Sequence, residues 1–346
     1  MAVPGGDNKG PCYWCFKAVK WIPVLFIVTI VVWSYYAYVI QLCLLTMEDL
    51  VKQLLYLVFY HIFFFMFCWA YWQTIFTNIA TVPNKYSVPD HVFEAYMNNA
   101  DNFETQNSML ENLAKRLPIA NITLSGGVRF CEKCRVLKPD RAHHCSVCGV
   151  CVLKMDHHCP WINNCVSFTN YKFFVLFLGY ALLYCIYVSL TSLTYFIAFW
   201  KGDLPGMGRF HILFLFFVSV MFAISLLSLF GYHCYLVVEN RTTLEAFRPP
   251  NFKDVGTDKY GFHIGRYKNF QEVFGEHPKK WFLPVSTSLG NGLEYPVHSR
   301  LQPSTYQSMD NTRNSLGDGL TFPQRQIDED QESLLHRNYE DDVESV

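Results

Sequence analysis

The sequence predicts an α-helical integral membrane protein: four transmembrane helices with a cytosolic small-β, loop-rich, cysteine-rich domain between spans two and three. Three observations predict it. Four runs carry no charged residue: Trp21 to Met47, Gln53 to Asn84, Phe173 to Trp200 and Phe210 to Val238. Each reaches or exceeds the roughly 20 residues a helix needs to cross a bilayer. The lysines and arginines gather beside one end of these runs, and seven of the thirteen cysteines crowd between Cys131 and Cys165 with histidines among them.

Residues 1–20 read as a short cytosolic tail with Lys9, Lys17 and Lys20 beside the first span. Its Cys12 and Cys15 have the spacing of half a zinc site but no evident partners, so S-acylation of juxtamembrane cysteines is expected instead. Span one, 21–47, is too long for a signal-peptide core and lacks a small-residue cleavage site, so it is retained. A hairpin with Glu48, Asp49 and Lys52 leads into span two, 53–78. Trp21, Trp33, Tyr35, Tyr36, Trp69, Tyr71, Trp72, Tyr195 and Trp200 crowd the expected interfaces as headgroup belts do.

Residues 79–128 form a polar linker with helical stretches such as SMLENLAKRL, expected to pack on the membrane face. The cysteine-rich domain follows at 129–171, then span three at 173–200 and span four at 210–238. A structured cytosolic tail, 239–290, opens with Arg241 and Arg248, and an acidic tail, 291–346, is expected to be disordered. Within it, Asp330-Gln-Glu-Ser-Leu334-Leu335 fits an acidic dileucine signal of the kind clathrin adaptors recognise. The basic residues place both termini and the middle segment in the cytosol. The sequons at Asn121 and Asn240 therefore carry no sugar, and a net charge of −1 suggests no nucleic-acid partner.

Cytosolic thiols stay reduced, so the cysteine cluster points to metal or catalysis. Shifted by fourteen residues, much of the series maps onto itself: Cys131 to Cys145, Cys134 to Cys148, His144 to His158, Cys151 to Cys165. Each set reads C-x2-C-x9-H-x6-C, which argues for two closed tetrahedral zinc sites of three cysteines and one histidine. Cys159 is left over: it stands where a third site would open, but Ile162 occupies the position of the next ligand. The spacing also permits another pairing, with Cys131, Cys134, Cys145 and Cys148 around one ion and Cys151, His157 or His158, Cys159 and Cys165 around the other.

If Cys159 is free, its neighbours matter. In an extended chain alternate side chains share a face, so His157 lies with Cys159 while His158 points toward the metal. Asp156 can then orient His157 as base for a Cys159 nucleophile. A purely structural finger with Asp156 and His157 facing solvent has the same sequence. Cys159 lies about a dozen residues before span three, at the cytosolic interface. The electrophile suited to that position is a thioester with its acyl chain in lipid and its head in water, as in fatty acyl-CoA.

The stretch from Phe130 to Phe174, with CEKC, KPDRAHHCSVC and KMDHHCPWINNC, resembles the cysteine-rich domain of the DHHC protein S-acyltransferases, the palmitoyltransferases. The resemblance extends over about 1 to 300 through WSYYAY, RTTLEAF and YKNFQEVFG…FLPVSTSLG. It implies one zinc site of Cys131, Cys134, His144 and Cys151 and another of Cys145, Cys148, His158 and Cys165. It further implies Cys159 as the acylated nucleophile with His157 and Asp156 as its activating pair. Thr242, Thr243 and Glu245 match the TTxE motif, and Asn269 fits a tail motif that docks on the membrane domain. Thr81-Val82-Pro83-Asn84 stands where many members have Asp-Pro-Gly, which leaves that turn open.

The implied activity is transfer of palmitate from acyl-CoA to cysteine thiols of membrane-associated proteins, most naturally at the Golgi, with plasma membrane or endosomes as other sites. By the same inference Trp161, Phe174 and Tyr184 line an acyl cavity, Ser34 limits its length, and Lys138, Arg141 and His143 meet the CoA phosphates. A membrane-anchored zinc-finger adaptor would share the metal sites but would not need DHHC or a leftover thiol. A transporter should show charges or broken helices within its spans, where only His61, His211 and His233 stand.

Overall fold

Four long apolar helices, each long enough to cross a membrane, dominate the computed structural model, which describes residues 18–204, 206–253 and 255–297. Cys12, Cys15 and the Leu334-Leu335 signal lie outside the described residues. Span 1 runs Ile22–Leu44, span 2 Leu50–Phe76, span 3 Tyr171–Lys201 and span 4 Arg209–Val238. Pro23 sits in the first turn of span 1, where its missing N–H leaves no bond unmade. From Tyr36 to Leu44 the same span continues as a π-helix and stops three residues short of the expected Met47. Helix interrupted this way often marks a functional region.

Asp49 starts span 2 earlier than the hydrophobic run suggests, because its side chain accepts the backbone N–H groups of Val51 and Lys52 as an N-cap. Lys52, expected in the hairpin, is therefore helical, with its ammonium over the rings of Tyr56 and Tyr195 at 5.4 and 5.2 Å. Spans 3 and 4 pack against each other as an antiparallel pair. They come close at Gly179, where an added Cβ would lie 3.1 Å from the Phe230 ring. Span 2 packs on span 3, and the π-helical end of span 1 on span 4. The spans share two apolar cores, one at the end nearer the hairpins around Phe67, Phe174, Phe177 and Val273, and one around Tyr38, Leu42, Tyr60 and Leu215.

Between spans 2 and 3 the chain forms three small antiparallel hairpins: β2–β3 (Phe130–Cys131, Val136–Leu137), β4–β5 (His143–Cys145, Val150–Val152) and β6–β7 (His157–Cys159, Asn164–Val166). The fourteen-residue repeat is a repeat of hairpins. Cys131 pairs with Val136, Cys145 with Val150 and Cys159 with Asn164, each pair fourteen residues after the last. The turns repeat as well: Arg135, Gly149 and Asn163 all hold positive φ, at 52°, 73° and 46°. A further small sheet joins β1 (Asn121–Ile122), before the hairpins, to β8 (Asn251–Phe252) and β9 (Gly256–Thr257), after span 4.

Two expectations need correction. The linker packs on the hairpins rather than on the membrane face: Thr81 bridges to Val152, Ser87 to Val136, and Phe93 and Tyr96 meet the ring of Phe130. Its helices, Asp90–Asn98 and Phe103–Ala114, are amphipathic, and their apolar sides complete a core with Tyr86, Leu137 and Leu153. The structured tail also continues past residue 290. Leu293 fills that same core, and the Tyr295 ring lies 5.1 Å from the Arg141 guanidinium.

Candidate active site and metal centres

The three hairpins together bring eight ligand candidates into two groups, Cys131, Cys134, His144, Cys151 and Cys145, Cys148, His158, Cys165. Within each, all four donor atoms lie within 4.8 Å of one another. In the second group His158 Nδ1 is 3.7, 3.5 and 3.6 Å from the sulfurs of Cys145, Cys148 and Cys165. In the first, His144 Nδ1 is 3.2 Å from Cys134 and 3.9 Å from Cys151. A tetrahedral zinc ion with bonds of about 2.3 Å to sulfur and about 2.0 Å to nitrogen holds its donors roughly 3.5 to 3.8 Å apart, so the donor sets fit that ion. The all-cysteine pairing is not the one the hairpins assemble.

Cys159 ends β6, where Cys131 and Cys145 stand in the earlier hairpins, but it belongs to neither group. In β6 the side chains alternate: His158 faces the second metal group, and His157 and Cys159 share the other face, where both line one cavity. His157 Nδ1–H donates to Asp156 at 2.6 Å. Asp156 also accepts the backbone N–H of Thr243 at 2.8 Å and its hydroxyl at 2.7 Å. Burial would raise the Asp156 pKa, but the bonds from His157 and Thr243 outweigh it and hold the carboxyl below its ordinary value. Burial likewise opposes charge on His157, yet Asp156 and Cys159 raise it to about 9.

The TTxE residues explain how Asp156 is held. Thr242 and Glu245 form a reciprocal capping box on the short helix Thr243–Phe247, which aims Thr243 at Asp156. Glu245 in turn accepts both arms of the buried Arg141 guanidinium, at 2.8 and 2.7 Å, and Arg141 also donates to the side chain and carbonyl of Asn240. Burial acts against both charges, but each partner's charge wins, leaving Glu245 below and Arg141 above its ordinary pKa. Asn269 ties this layer to span 4 by donating to the Val238 carbonyl and accepting the Ile264 N–H.

Arg141 is therefore not a phosphate ligand: it is fully buried, and its donors go to Glu245 and Asn240. His143 is half-buried, and burial with the nearby Arg129 pushes its pKa down to about 4, so it carries no charge near neutrality. Lys138 is partly exposed and remains a cation candidate.

Below Cys159 an apolar cavity of about 290 Å³ opens between the spans, lined by His157, Trp161 and Phe174 at its mouth and by Phe26, Leu226 and Leu229 from spans 1 and 4. A second cavity, of about 120 Å³, shares Ile27, Phe177, Phe222 and Leu226 with the first and ends at Ser34 and Tyr184. Its floor is closed by hydrogen bonds of Tyr184 to Ser34 and Tyr60, at 2.9 and 2.8 Å. Of the four expected lining residues, Trp161 and Phe174 thus line the first cavity and Ser34 and Tyr184 the adjoining second. Sequence reasoning missed the lining from spans 1 and 4, since an apolar residue facing a cavity reads like one facing lipid. It also missed His233, buried on span 4, hydrogen-bonded to Tyr171 and packed 5.0 Å from the Phe174 ring.

Residues 125–249 match the family model described as DHHC palmitoyltransferase. The chain is 48% identical to Palmitoyltransferase ZDHHC2 of Danio rerio over 99% of its own length and 95% of that protein's. With Palmitoyltransferase ZDHHC2 of Homo sapiens it shares 47% identity over 96% of this chain and 91% of the relative. With Palmitoyltransferase ZDHHC15 of Mus musculus the identity is 50%, over 86% of this chain and 87% of the other. The two Cys/His groups, the leftover Cys159 beside an oriented His157 and the four spans belong to one family pattern, and the chain is a member of the DHHC palmitoyltransferase family.

Proposed function

We propose that Cys159 is the nucleophile that takes a fatty acyl group from acyl-CoA and passes it to a cysteine thiol of a membrane-associated protein. The single observation that carries this is the position of the Asp156–His157–Cys159 array at the mouth of an apolar path that runs down between the spans to Ser34 and Tyr184. With Nδ1 engaged by Asp156, His157 takes the Cys159 proton on Nε2 and stands as an imidazolium beside the sulfur, which then attacks the thioester carbonyl. The C–S bond to CoA breaks, and the leaving thiolate takes the proton from His157. A second thiol then repeats the exchange in reverse at the acyl-cysteine. Little bond energy changes, so positioning and proton transfer are the protein's main contributions.

In this reading two zinc ions hold the hairpins and supply no chemistry. The acyl chain lies along Trp161, Phe174 and Tyr184, and Lys138 with neutral His143 meets the CoA head. Residence in the Golgi membrane, with plasma membrane or endosomes as further sites, rests on family resemblance.

The test is acylation of purified full-length protein with palmitoyl-CoA, comparing wild type with Cys159→Ser. Hydroxylamine-sensitive label on the wild type, and none on a variant that keeps two zinc ions per chain, is the expected result. Loss of zinc from the variant would make Cys159 a ligand and overturn the assignment.

A further inference from the structure

On the cytosolic side of span 3, the loop after the Arg266–Phe274 helix is held by unusually many bonds for a surface segment. Buried Lys172, in the first turn of span 3, donates to the carbonyls of Lys280 and Val285 and to the Thr287 hydroxyl, at 2.8, 3.0 and 2.7 Å. Tyr180 donates to the Phe282 carbonyl at 2.6 Å, and Trp281 Nε1–H donates to the Gly275 carbonyl at 2.8 Å. Trp281 also packs edge-on against Phe270, 4.9 Å between centroids. Yet the side chains this scaffold presents face outward. Phe282 is 68% exposed, Leu283 and Tyr267 are exposed, and so are Lys279, Lys280, Arg266 and Lys268. A loop held this firmly with its aromatic and aliphatic side chains turned out is built to present them.

The depth of the loop says to what. The first eight residues of span 3, Tyr171 to Leu178, are all buried by protein. Only beyond them does the span turn large apolar side chains outward, at Leu183, Ile186 and Leu190. Tyr180 lies at that change, about 14 Å along the helix from Tyr171. Phe282, whose carbonyl Tyr180 binds, therefore continues the lipid-facing surface of the span, and the neighbouring cations stand where headgroups lie. Lysines beside interfacial aromatic residues attract acidic lipids of the cytosolic leaflet, by about 1 kcal/mol, roughly fivefold, for each charge.

We propose that this platform, Phe282 and Leu283 in the acyl region with Lys279, Lys280 and the adjoining Arg266 and Lys268 around the phosphate, binds the headgroup of an acidic phospholipid. The loop is thereby fixed to the bilayer as well as to span 3.

The test uses the full-length protein in nanodiscs of phosphatidylcholine with one-fifth phosphatidylserine, with the photo-reactive p-benzoylphenylalanine in place of Phe282. Illumination is expected to give lipid adducts enriched several-fold in phosphatidylserine over its share of the bilayer. A Lys279→Gln/Lys280→Gln double variant should lose that enrichment while keeping the adducts. Adducts in proportion to lipid composition, or an enrichment the double variant retains, would overturn the headgroup site. The absence of lipid adducts would overturn the platform altogether. Native mass spectrometry of the unlabelled wild type gives an independent reading: retention of phosphatidylserine no greater than of phosphatidylcholine counts against the proposal.

Discussion

His157 shows how one carboxylate sets a reaction's pH range. Burial alone would keep the ring neutral, but Asp156 and Cys159 stabilise its charged form up to about pH 9. At neutral pH the ring is therefore charged and sets a positive charge beside the attacking sulfur, and deprotonating the ring removes that charge. Acyl-enzyme formation should accordingly fall as pH rises through about 9. Asp156→Asn removes the stabilising charge, so the histidine pKa drops and the basic limb of the rate profile moves to lower pH. The rate at neutral pH should fall by roughly 10²–10⁴. Stopped-time acylation across pH, wild type against variant, checks both, and a limb that stays in place would remove Asp156 from the role. Thr243→Val takes one of the three hydrogen bonds from the same carboxylate, and a loss of roughly tenfold is expected from a bond to a charged group.

At the scale of elements, the short helix after span 4 and the hairpins are joined by one buried ion pair, Arg141–Glu245, with the guanidinium stacked 4.6 Å from Phe262. Breaking such a pair from one side leaves an uncompensated buried charge, a cost of about 3–5 kcal/mol. Arg141→Met should lower the unfolding midpoint markedly and also slow acylation, because Thr243 is aimed by the capping box that Glu245 completes. A thermal scan alongside the acylation assay tests this, and a variant with unchanged melting would show the pair to be dispensable. The hairpins themselves are two to three residues per strand, too short to persist alone. Cys134→Ala should therefore lose one zinc per chain in a metal assay, with unfolding of the first hairpin pair and loss of activity, since metal binding there is folding free energy.

For the whole molecule, the spans enclose apolar cavities, the proposed acyl path, with the hydrogen bonds among Ser34, Tyr184 and Tyr60 at the far end. Length discrimination follows from burial of about 0.8 kcal/mol per methylene. Ser34→Phe raises the floor. If it excludes two methylenes, preference should shift toward shorter chains by about 1.6 kcal/mol, roughly 15-fold. Tyr184→Ala removes the floor and should admit longer chains. Competition between acyl-CoAs of different length, read by mass spectrometry of the acyl-enzyme, distinguishes these shifts from a general loss of activity.

Much of the architecture was legible in sequence because membrane spans and metal ligands are written in local patterns. An uncharged run of more than 20 residues has few other uses, and C-x2-C-x9-H-x6-C repeated at fourteen residues names both its ligands and the residue it omits, Cys159. Span ends were less legible, since a cap such as Asp49 is set by one side chain rather than by the run. Charges were read least well. Arg141 read as a cation free to meet a phosphate until Glu245, more than a hundred residues later, was brought against it. The same holds for the cavity: Phe26, Phe222 and Leu226 are apolar whether they face lipid or an enclosed path. Sequence by itself therefore determined the elements, the ligands and the odd thiol. Only the tertiary structure decided which charges are buried in pairs, which apolar faces enclose a cavity and how Thr243 reaches Asp156, because those depend on contacts between segments that local pattern does not encode.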